Sequence, residues 1–139
     1  MKPVVVDASA PLVLLIDPGD GGEQVAVALE AGDLHAPDLL PYEVANVLRR
    51  HRLAGRLSGA EAALAHQAMR RLPIELWPYE ILGDRLWEIP GSLSAYDAAY
   101  VELAERLDAP LVTADARLAR GSSYERVVLV GASDSVESG

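Results

Sequence analysis

The chain has 139 residues, half of them hydrophobic, with no cysteine and a formal net charge of −9 at pH 7. This length fits one domain with its own hydrophobic core, no apolar run approaches the roughly 20 residues of a membrane span, and the lack of cysteine excludes disulfides, thiolate catalysis and cysteine-ligated zinc. The negative charge argues against a broadly positive nucleic-acid-binding surface, but a nuclease stays possible because bound divalent ions reverse the sign of a carboxylate site locally.

Short runs of β-branched residues alternate with longer helical patterns, which predicts an α/β domain with a mainly parallel sheet flanked by helices. The predicted strands are Pro3–Asp7, Leu34–Pro37, Ile74–Trp77, Pro110–Thr113 and Val127–Val130. The predicted helices are Ala10–Ile16, Glu23–Ala31, Leu39–Leu53, Gly59–Leu72, Ile81–Glu88 and Ala95–Leu107, followed by a short helix near Asp115. The first strand lacks alternation of apolar and polar residues, as expected for a strand covered on both faces.

Several boundaries follow from local chemistry. Ser58 and Glu61 fit a capping box, and Ser94 with Asp97 fits its aspartate version. The glycine-rich segment 17–22 is predicted to be a loop. The end of the chain is rich in serine, glycine and acids, so residues 131–139 are predicted to form a disordered tail. The folded domain is therefore expected to occupy residues 1–130, in the cytoplasm and with no membrane segment.

Four acidic residues stand where the predicted elements would bring them to one end of the sheet. Asp7 ends the first strand and Asp115 follows the fourth, while Glu43 and Asp97 fall early in helices, where the helix dipole favours anions. Sites in open parallel sheets lie beyond the carboxyl ends of the strands. Gathered carboxylates repel one another unless a cation joins them, and a hard divalent ion takes oxygen ligands and suits phosphate chemistry. The pattern therefore predicts a metal-dependent enzyme that acts on a phosphodiester.

Polar residues near these acids are candidates for supporting roles. Glu43, Asn46 and Arg50 share one polar stripe of their helix. On that stripe, Asn46 is a candidate to hydrogen-bond a ligating carboxylate and Arg50 to meet a substrate phosphate. Ser9 and Thr113 flank the two strand-end aspartates, and their hydroxyls are candidates to orient metal-bound water.

Each acid also has a structural interpretation. Asp97 can serve as the third residue of a capping box, Asp115 as the cap of a short helix, and Glu43 as a first-turn acid favoured by the dipole. An acid that ends a buried apolar strand, such as Asp7, needs a partner to offset its desolvation. The metal site would be absent only if all four structural interpretations were correct at once.

Basic residues gather around the end of the third predicted helix. They either complement the negative end of the helix dipole or form a local phosphate-binding rim on an acidic protein. The cluster comprises Arg49, Arg50, His51, Arg52 and Arg56. Arg117 and Arg120 follow Asp115 closely and are open to the same two interpretations. The tryptophans and tyrosines are predicted to be core or dimer contacts.

Four motifs in this order and at these separations resemble the PIN-domain ribonucleases, in particular the VapC-type toxins of bacterial toxin–antitoxin pairs. The motifs are Val-Val-Asp-Ala-Ser-Ala at 5–10, Glu-Val-Ala-Asn at 43–46, Tyr-Asp-Ala-Ala-Tyr at 96–100 and Leu-Val-Thr-Ala-Asp-Ala-Arg-Leu-Ala at 111–119. The resemblance spans nearly the whole chain. It implies a PIN-like domain with strand order 3-2-1-4-5, a homodimer, an RNA substrate and inhibition by a cognate antitoxin.

The same resemblance assigns the site residues. The four acids of the family fall on Asp7, Glu43, Asp97 and Asp115, its serine on Ser9 and its polar residue before the last acid on Thr113. Some relatives carry a fifth acid just after the last one. This chain has Ala116, Arg117 and Leu118 there, so a fifth carboxylate ligand is not expected.

The expected mechanism is hydrolysis assisted by one or two Mg²⁺ or Mn²⁺ ions, which lower the pKa of a bound water and offset charge on the pentavalent centre. Asp7, Asp97 and Asp115 are the expected direct ligands, and Glu43 is expected to ligate through water or to act as the base. By resemblance, the products carry a 5′-phosphate and a 3′-hydroxyl.

Other functions remain to be weighed. A haloacid-dehalogenase-type phosphatase needs a second aspartate two residues after the first and a later lysine, but Ser9 stands there and Lys2 is the only lysine. A non-catalytic PIN-like scaffold for partner binding is expected to have lost one or more of the acids, and all four are present. A DNA nuclease stays open, because the residues carry no readable motif for the 2′-hydroxyl.

Overall fold

In a computed structural model, which describes residues 1–131, five parallel strands form one sheet in the order β3-β2-β1-β4-β5. The strands are β1 Pro3–Val6, β2 Asp33–Pro37, β3 Ile74–Trp77, β4 Leu111–Thr113 and β5 Val127–Leu129. The predicted α/β class, the parallel sheet and the strand order are confirmed. Since β1 and β4 are neighbours, their carboxyl ends lie side by side.

Helices connect the strands and cover the sheet. They are α1 Ser9–Ile16, α2 Asp20–Glu30, α3 Leu40–Leu53, α4 Gly59–Arg71, α5 Tyr79–Glu88, α6 Ala95–Leu107 and α7 Ala116–Gly121. Helix α6 packs against β1, β2 and β4, and α1 packs against β4 and helices α2, α3 and α4. None of the helices within residues 1–131 is long and apolar enough to cross a membrane.

The central strand β1 lies in the middle of the core. Val5 and Val6 are consecutive, so their side chains point to opposite faces of the sheet, yet both have no exposed surface. Both faces of β1 are therefore covered, as its continuous apolar run predicts. A central strand with this burial is a rigid support for the residue that follows it, Asp7.

The two predicted helix caps form differently. At the start of α4, Ser58 Oγ accepts from the amide of Glu61 at 3.0 Å and the Ser58 amide donates to Glu61 Oε1 at 2.8 Å, a complete capping box. At the start of α6, Ser94 Oγ accepts from the Asp97 amide at 3.1 Å. The Asp97 carboxylate instead meets Arg117, in the site described below.

Removing the cap of α4 gives a modest expected loss of stability. Ser58→Ala deletes the acceptor for an amide that has no partner within the helix, which costs about 1 kcal/mol of the free energy of unfolding. Urea denaturation of this variant beside Ser123→Ala, an exposed serine outside the helices, measures the effect. Equal midpoints for the two variants would show that the cap contributes nothing.

The prediction that residues 17–22 form a loop is wrong in its second half, because α2 begins at Asp20. Asp17 Oδ1 accepts from the Gly19 amide at 2.8 Å and closes the turn early. A Cβ at Gly22 would lie 2.2 Å from the carbonyl oxygen of Asp17. Glycine is therefore needed at position 22 for the close approach of two backbone segments. This close approach, and not a loop conformation, explains why glycine occurs there.

The start of the predicted tail is ordered. Gly131 is buried, has a φ of 58°, and donates its amide to Gln24 Oε1 on α2 at 3.1 Å. A non-glycine residue is strained at this φ. The rest of the predicted tail, residues 132–139, lies outside the described residues.

Candidate active site

Asp7 follows the central strand at the carboxyl edge of the sheet and is 6% exposed. Both carboxylate oxygens have a hydroxyl partner: Ser9 Oγ donates to Oδ1 at 2.6 Å and Thr113 Oγ1 donates to Oδ2 at 2.8 Å. Burial raises the pKa of Asp7 to about 7, and the two hydroxyl bonds oppose this shift. The side chain is thus fixed in place with a carboxyl group that is hard to ionise without a cation nearby.

The hydroxyls of Ser9 and Thr113 are themselves fixed by the chain after β4. Ser9 Oγ accepts from the Ala114 amide at 2.8 Å, and Thr113 Oγ1 accepts from the Asp115 amide at 2.9 Å. Since each hydroxyl has a single proton, donation of both protons to Asp7 leaves none for the 3.2 Å approach of the two oxygens. This approach is therefore not a hydrogen bond when Asp7 is ionised.

Glu43 lies in the first turn of α3 and is held by Tyr100 of α6. The Tyr100 hydroxyl donates to Glu43 Oε1 in a short hydrogen bond, and the tyrosine itself is 1% exposed. Burial raises the pKa of Glu43, the hydrogen bond from Tyr100 opposes the shift, and the charge of Asp97 adds to it. Burial and the neighbouring Glu43 raise the pKa of Tyr100, so the phenol stays a hydrogen-bond donor.

Asp97 and Asp115 are joined by one guanidinium group. Arg117 Nη1 lies 3.2 Å from Asp97 Oδ2, and Arg117 Nη2 lies 3.1 Å from Asp115 Oδ2. Asp115 also caps α7, since its Oδ1 accepts from the amides of Arg117 at 2.9 Å and Leu118 at 3.3 Å. Asp115 therefore caps α7, as its structural interpretation predicts. Its other oxygen, Oδ2, contacts the Arg117 guanidinium at the same time.

The negative charges of neighbouring acids raise the pKa values of the buried acids in the site. The charges of Asp115 and Glu43 raise the pKa of Asp7, and the charge of Asp97 raises that of Glu43. Asp115 and Asp97 in turn raise the pKa of Arg117, whose positive charge they stabilise. Charge thus links Asp7 to Asp115 and Glu43, and Glu43 to Asp97, while Arg117 lies between Asp97 and Asp115.

The donor set suits a hard divalent cation, because all four groups are carboxylates and such ions take oxygen ligands. Within residues 1–131, no group of three or more histidine, cysteine, aspartate or glutamate side chains lies close enough together to hold an ion as the side chains stand. The guanidinium of Arg117 occupies a cationic position between Asp97 and Asp115. The side chains are therefore of the type that binds a divalent ion. In the arrangement seen here, Arg117 supplies part of the positive charge that an ion would bring.

The remaining candidates stand apart from this cluster. Asn46 and Arg50 are exposed on α3, and within the described part of the chain neither side chain makes a hydrogen bond. Tyr100 is a site residue whose contact with Glu43 the sequence did not indicate. The available signal was its position three residues after Asp97, which puts both side chains on one face of α6.

The comparisons with known proteins agree with this fold. The PIN domain family model matches residues 4–122. The VapC ribonuclease Mb0985 of Mycobacterium bovis and the ribonuclease VapC9 of Mycobacterium tuberculosis are each 46% identical over 115 residues, covering 83% of this chain and 87% of theirs. The ribonuclease VapC1 of Mycobacterium tuberculosis is 36% identical over 120 residues, covering 86% and 90%. The chain belongs to the PIN-domain family, and within it to the VapC ribonucleases.

Two of the solved structures that share the fold are those of VapC20 and VapBC2. One is the toxin VapC20 of Mycobacterium tuberculosis, described as cleaving the sarcin–ricin loop, with a TM-score of 0.62 at 13% identity, covering 84% of this chain and 93% of that one. The other is VapBC2 of Rickettsia felis bound to a DNA fragment from its promoter, with a TM-score of 0.56 at 12% identity, covering 92% and 97%. At these identities the likeness concerns the fold alone.

Proposed function

We propose that this protein is the endoribonuclease toxin of a toxin–antitoxin pair and that it hydrolyses RNA phosphodiester bonds with the help of divalent ions. The observation that carries the proposal is the buried, doubly hydrogen-bonded Asp7 in a cluster of four carboxylates at the carboxyl edge of the sheet. The names of the relatives support RNA as the substrate class. The proposed site of action is the cytoplasm, because that is where a bacterial toxin meets RNA.

Asp7, Asp97 and Asp115 would hold Mg²⁺ or Mn²⁺ directly, with Glu43 as a ligand through water or as the base. The ion would supply a water of lowered pKa and would offset negative charge at the reacting phosphate. The chain itself fixes the oxygens: Ser9 and Thr113 hold the Asp7 carboxylate, and the Asp115 cap holds Oδ1 so that Oδ2 faces the cluster. No side chain has to become a covalent nucleophile.

Tyr100 has a positioning role in this proposal. Its hydroxyl fixes one oxygen of Glu43 and leaves the other available to a water molecule. The half-buried position and the neighbouring acid raise the pKa of Glu43, which makes it a stronger base than an exposed glutamate. Glu43 is therefore suited to take a proton from the attacking water.

Arg50 and Arg117 are the proposed substrate-binding residues. Arg50 lies seven residues after Glu43 on α3, which at 1.5 Å per residue places it about 10 Å further along the helix, a span of one or two nucleotides. Arg117 already lies in the cluster, and once an ion binds its acid partners the guanidinium is free to meet a phosphate oxygen.

The test is cleavage of purified RNA by antitoxin-free protein with Mg²⁺, with Mn²⁺ and with EDTA, beside single-stranded DNA of the same sequence. We expect discrete RNA fragments that carry 5′-phosphates, that depend on metal, and that are absent with DNA. Cleavage of DNA alone would replace the proposed substrate. Cleavage that persists in EDTA would contradict the metal-dependent mechanism.

Arg117→Gln is expected to tighten binding of divalent ions about tenfold. In the metal-free protein the guanidinium neutralises Asp97 and Asp115, so an entering ion must displace it, and this cost disappears in the variant. Isothermal calorimetry with Mn²⁺ measures the change, and Arg120→Gln on the same helix is the control, because Arg120 is exposed and forms no ion pair within residues 1–131. Unchanged affinity in Arg117→Gln would mean that the guanidinium does not compete with the ion.

We also propose a homodimer and a protein antitoxin as partners. Exposed aromatic and apolar side chains occur on α5 and at the starts of α3 and α6, and Tyr42, Tyr79 and Tyr96 among them line one groove that another copy would cover. They are Tyr42, Tyr79, Ile81, Trp87 and Tyr96. Sedimentation equilibrium of the wild type and of Tyr79→Ser, whose residue is 69% exposed, tests this groove. A wild-type monomer would contradict the dimer.

A further inference from the structure

His35, on strand β2, is a buried titratable side chain that lies outside the acidic site, and it is 6% exposed. In the register of the sheet, His35 pairs with Glu75 and Pro37 pairs with Trp77 on the edge strand β3. Because side chains two residues apart in a strand share a face, Glu75 and Trp77 lie on the same face as His35, and so does Asp33. Three polar groups therefore surround one imidazole ring.

Two of these partners compete for the same ring nitrogen. The indole N–H of Trp77 donates to His35 Nδ1 at 3.1 Å, and Glu75 Oε2 lies 3.3 Å from the same Nδ1. An indole N–H only donates and a carboxylate only accepts. The first contact therefore needs Nδ1 without a proton, and the second needs Nδ1 with one. The protonation state of His35 decides whether its partner is Trp77 or Glu75.

The other ring nitrogen of His35 has the same partner in both states. His35 Nε2 lies 3.3 Å from Asp33 Oδ2. When Nδ1 accepts from Trp77, the neutral ring carries its proton on Nε2, and the charged ring carries a proton on each nitrogen. Nε2 therefore donates to Asp33 in either state, and this bond holds the ring in place while the partner at Nδ1 changes.

The elements that pack most closely against β2, which are β1, β3 and α6, bring no unpaired charge to His35. Strand β1 has no titratable side chain, and β3 has Glu75 alone. The tyrosines of α6, Tyr96 and Tyr100, are uncharged in the range in which histidine titrates. Each charged side chain of α6 has an ion-pair partner, and the pairs are Asp97 with Arg117, Glu102 with Arg106, and Glu105 with Arg85. Within residues 1–131, Asp33 and Glu75 are the charged groups in contact with His35.

Trp77 connects His35 to the groove that Tyr42, Tyr79 and Tyr96 line, because the side chain of Trp77 is part of the same wall. The backbone of Trp77 is held in β3, and its carbonyl accepts from the amide that follows β2 at 2.8 Å. Within the described residues, the bond to His35 is the one hydrogen bond that the indole makes. Loss of this bond therefore frees the indole, and not the strand, to turn in the groove wall.

We propose that neutral His35 fixes Trp77 in the wall of this groove, and that protonated His35 bonds Glu75 instead and releases the indole, so that two copies of the chain associate more weakly in acid. Histidine is the side chain whose charge changes between about pH 5 and pH 8. A charged imidazole also forms the stronger bond with a carboxylate. The inference rests on the homodimer proposed above and adds its regulation by pH, and it does not depend on the nuclease activity.

The first experiment follows the fluorescence of Trp77 as the pH is lowered from 8 to 5. The chain has two tryptophans, and Trp87→Phe removes the other one, which is 83% exposed. In this single-tryptophan protein we expect the emission to shift to longer wavelength in acid, because the released indole meets more water. Adding His35→Gln keeps an oxygen that accepts from the indole but does not titrate, so the shift should be absent. Circular dichroism at each pH shows that the fold is kept.

Glu75→Gln in the same protein tests the competing partner. Without this carboxylate the charged imidazole loses its ion pair, so the emission shift should require a lower pH. The control is Glu80→Gln, which removes an equal charge from an exposed residue of α5 that forms no ion pair within residues 1–131. An equal displacement in the two variants would reduce the effect to net charge and overturn the inference. Absence of the shift in the parent protein, or its persistence in His35→Gln, would overturn it as well.

Sedimentation equilibrium of the wild type and of His35→Gln at pH 8 and pH 5.5 measures the association itself. Loss of one hydrogen bond in the groove wall is expected to raise the dissociation constant of the wild-type dimer about fivefold at pH 5.5. His35→Gln should have the same constant at both pH values. A wild-type dimer whose constant does not change with pH would overturn the inference and leave the homodimer intact. A wild-type monomer at both pH values would refute the homodimer and the inference with it.

Discussion

Replacing Asp7 by asparagine is expected to abolish RNA cleavage while the fold is kept. The substitution removes one ligand charge from the centre of the cluster but has nearly the same shape, and the hydroxyls of Ser9 and Thr113 can each rotate to bond the amide. Loss of a charge aimed at the reacting centre costs at least about 100-fold in rate.

The cleavage rates of the wild type and of Asp7→Asn are measured with excess Mn²⁺, on an RNA that the wild type cleaves. The matched control is Asp84→Asn, an exposed aspartate on α5 that forms no hydrogen bond or ion pair within the described residues. Near-wild-type cleavage by the Asp7 variant would place the chemistry elsewhere. Equal loss of activity in the two variants would point to a general effect of charge.

The second large effect is that the metal-free protein becomes less stable as the pH rises from about 4 to 7. Burial raises the pKa of Asp7 from 3.8 to about 7 in the folded state, so in this interval the folded protein holds a proton that the unfolded chain has released. The free energy of unfolding then falls with pH, and it levels off above the folded pKa. At about 1.4 kcal/mol for each pKa unit, the upper bound of the decrease is about 4 kcal/mol.

Urea denaturation in EDTA at pH 5 and pH 8 measures this dependence, and the same experiment on Asp7→Asn isolates the contribution of Asp7 from that of the other carboxylates. The variant should show a smaller difference between the two pH values and should exceed the wild type in stability at pH 8. Addition of Mn²⁺ at pH 8 should stabilise the wild type more than the variant. A wild type that gains stability toward pH 8 would contradict an Asp7 that resists ionisation.

Much of the architecture follows from local patterns. A buried apolar run followed by an acid identifies β1 and Asp7, and the alternation of strand and helix patterns predicts the parallel sheet, because both signals are contained in a few consecutive residues. The complete cap at Ser58 is local for the same reason. Strand ends and helix starts could therefore be placed, and with them the four acids.

Other features depend on packing between distant segments and have no local signal. The Tyr100–Glu43 bond joins residues 57 positions apart, and Arg117 reaches back 20 positions to Asp97. The error at Asp20 has a related cause, since the glycine at 22 is required by an approach of backbone segments that a turn pattern does not reveal. The candidate ligands can therefore be identified from the sequence. The residues that hydrogen-bond or ion-pair with them depend on packing between distant segments.

The clamp on Asp7 has a consequence for synthesis of the protein. Thr113 lies 106 positions after Asp7, and β4 docks beside β1 only when residues 111–113 have left the ribosome. A nascent chain that has exposed everything through α6 still lacks Thr113, Asp115 and β4, one of the two strands that pair with β1. The four acids and the clamp on Asp7 can therefore assemble only after Asp115 has left the ribosome.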